Sequence, residues 1–122
     1  MSVRRFAVDD GAIEEWTDEQ GRLHRSDGPA VVEYYSDGRL RAKHWYRHGR
    51  RHREGGPALV RYDQTGDLLR AEWFVDGIRH RDDGPAVIVP DGRGEAYIGY
   101  YVEGKKIDAM WARVIPIDDK SK

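Results

Sequence analysis

The chain has 122 residues and a net charge of −1, with 35% charged and 39% hydrophobic residues, seven Tyr among the latter, and no Cys. That length suits one domain, since domains cluster near about 100 to 150 residues, and a charged fraction above the roughly 25% of an average globular chain calls for a thin or elongated core. Bulk charge gives no reason to expect nucleic acid or membrane as a partner, and the lack of Cys excludes a disulfide framework, a thiolate nucleophile and a zinc ribbon.

The segment MSVRRFAVDDGAIEEW lacks the apolar core of a signal peptide, and no run approaches the ~18 apolar residues of a membrane span. A soluble, cytoplasmic protein is the expectation. Within 3–20, RFAVDDGAIEEW reads as a degenerate hairpin turning at Asp10 and Gly11, with Trp16 near the position that Trp45 takes later.

From Gly21 onward the chain repeats itself. HRSDGPA from His24 returns as HREGGPA from His52 and HRDDGPA from His80, a period of 28 residues without slippage. The repeats are 21–48, 49–76 and 77–104, each with a Gly three residues before the His (Gly21, Gly49, Gly77). After each Pro-Ala comes a short apolar or alternating run, AVVEYY, ALVRYD or AVIVPD, and then a turn signal at 36–38, 64–66 or 90–94. Gly-containing turns between such runs predict a β-hairpin in every unit. The returning arms end in Trp45 and Tyr46, Trp73 and Phe74, Tyr100 and Tyr101, which suit a pleated, half-buried surface. Four hairpins give about eight strands. At 105–122 the pattern lapses, with Ile107 and Asp108 where His and Arg are due, so this stretch is expected to cap the array. DAMWARVIP predicts a short capping helix, with Asp108 as N-cap, apolar pairs Met110/Val114 and Trp111/Ile115, and Pro116 as the stop.

An aromatic pair, a short turn with Gly, then G-x-x-H, a further Gly, a strand, a turn Gly and another Trp together resemble MORN-type hairpin repeats, over roughly residues 16 to 107. The pattern is most similar to the variant repeats of bacterial antitoxin or immunity-like proteins and of viral proteins. The resemblance implies an all-β fold, a single-layer twisted meander of antiparallel hairpins spanning 1–122 as one domain, that acts as a binding scaffold and not as a catalyst.

The residue chemistry agrees with a scaffold. Equivalent histidines two strands apart lie roughly 10 Å from one another, too far to share an ion held at ~2.0 to 2.1 Å, and only His44, His48 and His52 could gather locally, so no metal or cofactor is expected. Ser26 beside His24 and Asp27 has the composition of a triad, yet the equivalent positions hold Glu54 and Asp82, and residues so close on a turn rarely reach the required geometry. In HRxxGPA the Gly permits a tight backbone path and the Pro restricts it. His24, Gly28, Pro29, His52, Gly56, Pro57, His80, Gly84 and Pro85 are therefore read as a recurring structural corner, with Arg25, Arg53 and Arg81 covering it or pairing with acids such as Asp27 and Asp83. The competing reading is a His-Arg ladder presented outward.

Charge is distributed unevenly. Residues 39–53 hold seven Lys or Arg, three His and no acid, whereas 9–19 hold six acids and no base. The two segments either compensate each other on neighbouring strands or leave a basic patch, Arg39, Arg41, Lys43, Trp45, Arg47, Arg50, Arg51 and Arg53, suited to an acidic protein surface or to phosphates. The leading expectation is a non-enzymatic protein-binding factor, such as an inhibitor, antitoxin, immunity or viral counter-defence protein. The alternative is a nucleic-acid or nucleotide binder using 39–53. A homodimer is left open, since a second copy would cover an apolar sheet face.

Overall fold

The computed structural model describes residues 1–113, and every regular element in that range is a strand. Nine strands form one open antiparallel sheet in the order β1(Ser2–Val8), β2(Gly11–Thr17), β3(Val31–Tyr35), β4(Leu40–His44), β7(Leu59–Tyr62), β8(Leu68–Glu72), β11(Val87–Pro90), β12(Glu95–Val102), β13(Lys105–Arg113). Each strand of this sheet neighbours the one before it in the chain, so the sheet is a meander, as the repeat pattern predicts. The first hairpin turns at Asp9 and Asp10, one residue earlier than expected, because Val8 already pairs with Gly11. The later turns fall at the anticipated sites. In the β3–β4 turn Gly38 stands at φ 89°, and in the β7–β8 turn Gly66 stands at 92°, a left-handed conformation that costs Gly nothing.

Two short ladders, β5(Tyr46–Arg47) with β6(Arg50–Arg51) and β9(Phe74–Val75) with β10(Ile78–Arg79), stand apart from the main sheet and were not foreseen. The returning arms β4 and β8 each break at a Trp and immediately make a small second hairpin. His48-Gly49 and Asp76-Gly77 form its two-residue turns, with φ of 46° and 85° and of 50° and 80°, the positive pair that defines a type I′ connection.

The C-terminal cap is a strand, not a helix. Between 105 and 113 the chain pairs along the whole of β12, from Val102↔Lys105 to Glu95↔Arg113, with a bulge at Tyr100/Tyr101. A short run with apolar residues at 107, 110 and 111 does not by itself separate the two periodicities, and here the unpaired backbone of β12 offers a partner to every second amide. Val114, Ile115 and Pro116, on which the helix reading also rested, lie outside the described residues.

The core is thin, as the composition demands. Ala30, Ala42, Ala58 and Ala86 are fully enclosed, Val32, Leu59, Val60, Ala71, Val87 and Ala96 are buried, and among the described residues none of the large side chains is fully buried. Side chains alternate between faces, so Val31, His44, Leu59, Glu72 and Val87 make one row across the sheet while Val32, Lys43, Val60, Ala71 and Ile88 make the adjacent row on the other face.

Candidate functional site

Each HRxxGPA segment builds the same corner. Trp45 leaves the sheet with its N–H donated to Ala58 O at 2.8 Å, and its own carbonyl accepts the N–H of His52 at 3.1 Å after the small ladder has closed. Trp73 does the same with Ala86 and His80, and Trp16 with Ala30 and His24. Trp16 thus occupies the Trp45 position, as the degenerate first unit suggested.

The histidine of each corner reaches the far end of its own unit. His24 Nδ1 accepts the backbone N–H of His48 at 3.0 Å, His52 Nδ1 that of Asp76 at 3.0 Å, and His80 Nδ1 that of Glu103 at 2.9 Å. The three donors are also the three non-Gly residues with positive φ among the described residues, so the bond offsets a conformation that ordinarily costs an L-residue roughly 1 kcal/mol or more. A bond between residues 24 or 23 apart has no sequence signal beyond the repeat itself.

The arginine is a plate lying on the tryptophan. The guanidinium carbons of Arg25, Arg53 and Arg81 sit 4.1, 4.0 and 4.1 Å from the ring centroids of Trp16, Trp45 and Trp73, a cation–π geometry. Each also donates from Nη1 to the carbonyl of the corner proline, Pro29, Pro57 or Pro85, at 3.3, 3.1 and 2.9 Å. The glycine before that proline is required by this plate: a Cβ on Gly28, Gly56 or Gly84 would meet the guanidinium carbon at 3.1, 2.8 or 2.7 Å. The Arg pairs with Asp27 and Asp83 at 3.1 Å in both cases.

The basic segment is not one patch. Arg41 is mostly enclosed, paired with Asp10 and Glu33 at 3.0 and 3.2 Å. Arg51 donates to Tyr46 Oη at 3.1 Å and lies against Phe74, and Arg53 is stacked on Trp45. Lys43 points to the face opposite His44, and Arg39 reaches Gln64 O at the far turns. Arg47 and Arg50 remain exposed on the small ladder. The acidic segment is matched in part from here, through Arg41 to Asp10 and His48 to Asp18 at 2.9 Å.

The three histidines of 39–53 separate as well. His44 bonds Glu33 through Nε2 at 2.7 Å, His48 stacks on His24 at 4.0 Å between centroids, and His52 faces Asp76. Among the described residues no group of three or more His, Cys, Asp or Glu is arranged to hold a metal ion. His44 holds the Glu33 carboxyl below the usual carboxylate range. Glu72, which takes the place of His44 one repeat on, is pushed up by burial but held below that range by Arg70 and Arg79.

Consecutive corners leave open grooves between them. One, of about 610 Å³, is lined by His24, Arg25, Ser26, Trp45, Arg47, His52 and neighbours. The next, of about 420 Å³, lies between the corners of Arg53 and Arg81 and is walled by Trp73. No helix among the described residues is long and apolar enough to cross a membrane. No family model and no curated protein matches the chain.

Proposed function

We propose that the protein is a non-enzymatic binding module that recognises another protein through the corner side of its hairpin array, in the manner of an inhibitor, antitoxin, immunity or viral counter-defence factor. The observation that carries this reading is the row of grooves at repeat spacing, each walled by a Trp–Arg stack already fixed by its own hydrogen bonds. Arg and aromatic residues are the side chains that protein interfaces favour, and holding them in place before contact lowers the ordering cost of association. The resemblance to MORN-type repeats points the same way. A nucleic-acid partner is supported less, because Arg41 and Arg51 are committed to internal partners and the remaining cations of 39–53 are divided between faces and ends of the sheet.

The test is capture of a partner from nuclease-treated lysate of the native host by the immobilised protein, alongside variants Ser26→Arg and Arg47→Glu. Both positions are exposed and line the larger groove, so the fold should persist and the captured protein should be lost. Capture unchanged in both variants, or capture of nuclease-sensitive material alone, would overturn the reading.

A further inference from the structure

The three corners share their Arg–Trp stack and their bond to the proline carbonyl but differ in where their charges go and in the backbone at Gly55, whose φ is 79°. In the first, Arg25 Nε donates to Asp27 Oδ1 at 3.1 Å, and in the third Arg81 Nε donates to Asp83 Oδ1 at 3.1 Å. The third corner also pairs His80 Nε2 with Asp82 Oδ1 at 2.9 Å. In the middle corner Gly55 stands where Asp27 and Asp83 stand, and it has no side chain to offer. Arg53 there has no carboxylate partner among the described residues and donates only to Pro57 O, and burial pulls its guanidinium below the usual arginine range.

His52 in the same corner is also incomplete. Its residue is only 8% exposed, its Nδ1 accepts the Asp76 N–H, and the neutral ring must then carry its proton on Nε2. That Nε2–H is enclosed and has no hydrogen-bond partner, a state that favours any acceptor brought to it. The residue equivalent to Asp82 is Glu54, whose exposed carboxylate turns away to Arg47 at 3.9 Å. The guanidinium that takes a carboxylate in both sister corners is thus without one in the middle corner, where Arg53 and His52 both line the groove between the first and second corners.

We infer that the middle corner is a subsite for a carboxylate of the partner protein, an Asp or Glu side chain that pairs with Arg53 Nε as Asp83 pairs with Arg81 Nε. The first and third corners show which group fits, because the chain fills them with carboxylates of its own. The subsite rests on the protein-recognition reading and names the chemistry at its centre.

The probe is an acetylated tetraglutamate amide, titrated while the side-chain N–H signals of Arg53, Trp45 and His52 are followed by NMR, with acetylated tetraglutamine amide and inorganic phosphate as the other arms. Saturable shifts confined to the middle corner are expected with the tetraglutamate and not with tetraglutamine. Gly55→Asp supplies an internal carboxylate and should weaken the peptide at least tenfold; Asp tolerates the positive φ of 79° found there better than most residues. Asp83→Gly should open a second subsite, with new shifts at Arg81. The proposal falls if phosphate alone shifts these signals, if Gly55→Asp binds the peptide as well as the native chain, or if Asp83→Gly gains nothing at Arg81. A negative titration together with a captured partner lost in Ser26→Arg would remove the subsite and leave protein recognition standing.

Discussion

His52 accepts the backbone N–H of Asp76, 3.0 Å away and 24 residues further along the chain, so the side chain near the start of a unit fastens the turn at its end. His24 and His80 do the same for His48 and Glu103. Replacing His52 by Ala leaves an Asp76 N–H without its acceptor in a backbone conformation that depended on it. The expected loss is about 1 to 3 kcal/mol, read as a lower urea midpoint at unchanged slope. A variant as stable as the native chain would show that the turn holds itself.

The arginine plates make a separate prediction. Gly56→Ala places a methyl 2.8 Å from the Arg53 guanidinium carbon, whereas Gly28→Ala meets Arg25 at 3.1 Å. Forced repacking costs typically ~1 to 3 kcal/mol, so Gly56→Ala should be the more destabilising of the two, with a change in Trp fluorescence as Arg53 leaves the Trp45 ring. Equal and negligible effects would mean that the plate moves freely.

Trp73 and Trp111 should differ sharply. Trp73 anchors a corner beneath Arg81, while Trp111 is 61% exposed on the edge strand β13 and meets Tyr97 edge to face at 6.0 Å. Trp73→Ala is expected to cost about 3 kcal/mol and Trp111→Ala about 1 kcal/mol at most. Denaturant titration of the two variants distinguishes them, and a reversed order would contradict the corner as the seat of stability.

Acid should act in two steps. Burial, aided by the charge of His48, holds His24 below its usual range, so the unfolded chain binds this proton first and stability declines as pH drops below about 6.5. The carboxyls of Glu33, Glu72 and Asp63 are held below theirs. Their contribution is complete above the unfolded carboxylate range near pH 4 and is lost as pH falls through the lower folded values. Melting temperature against pH should be level above about 7, dip below 6.5 and fall again below about 4; His24→Asn should remove the first dip alone.

Much of this fold was legible from the repeat. An invariant period with Gly turns between β-prone runs leaves little freedom beyond a hairpin meander, and Gly-Pro-Ala marked the corner. The small ladders were missed because two-residue strands such as Tyr46–Arg47 carry no periodicity of their own. The basic stretch misled because its residues are consecutive in sequence, while a strand sends neighbours to opposite faces, as Lys43 and His44 go. The helix expected after Asp108 failed because an open strand edge outweighed a short apolar spacing. What distinguishes the middle corner was on the page all along as Gly55, but its meaning depends on Arg53 and His52 lining the same groove.

The contrast between β12–β13 and the earlier units shows what the HRxxGPA segment accomplishes as grammar. With it, a hairpin arm is cut at the tryptophan and a new unit begins; without it, at Ile107 and Asp108, the arm runs on unbroken and the array ends. Since every corner bond spans a single unit, the segment is a joint that can be counted. Removing or duplicating residues 49–76 would shorten or lengthen the molecule by one step of a ruler, and the number of grooves with it.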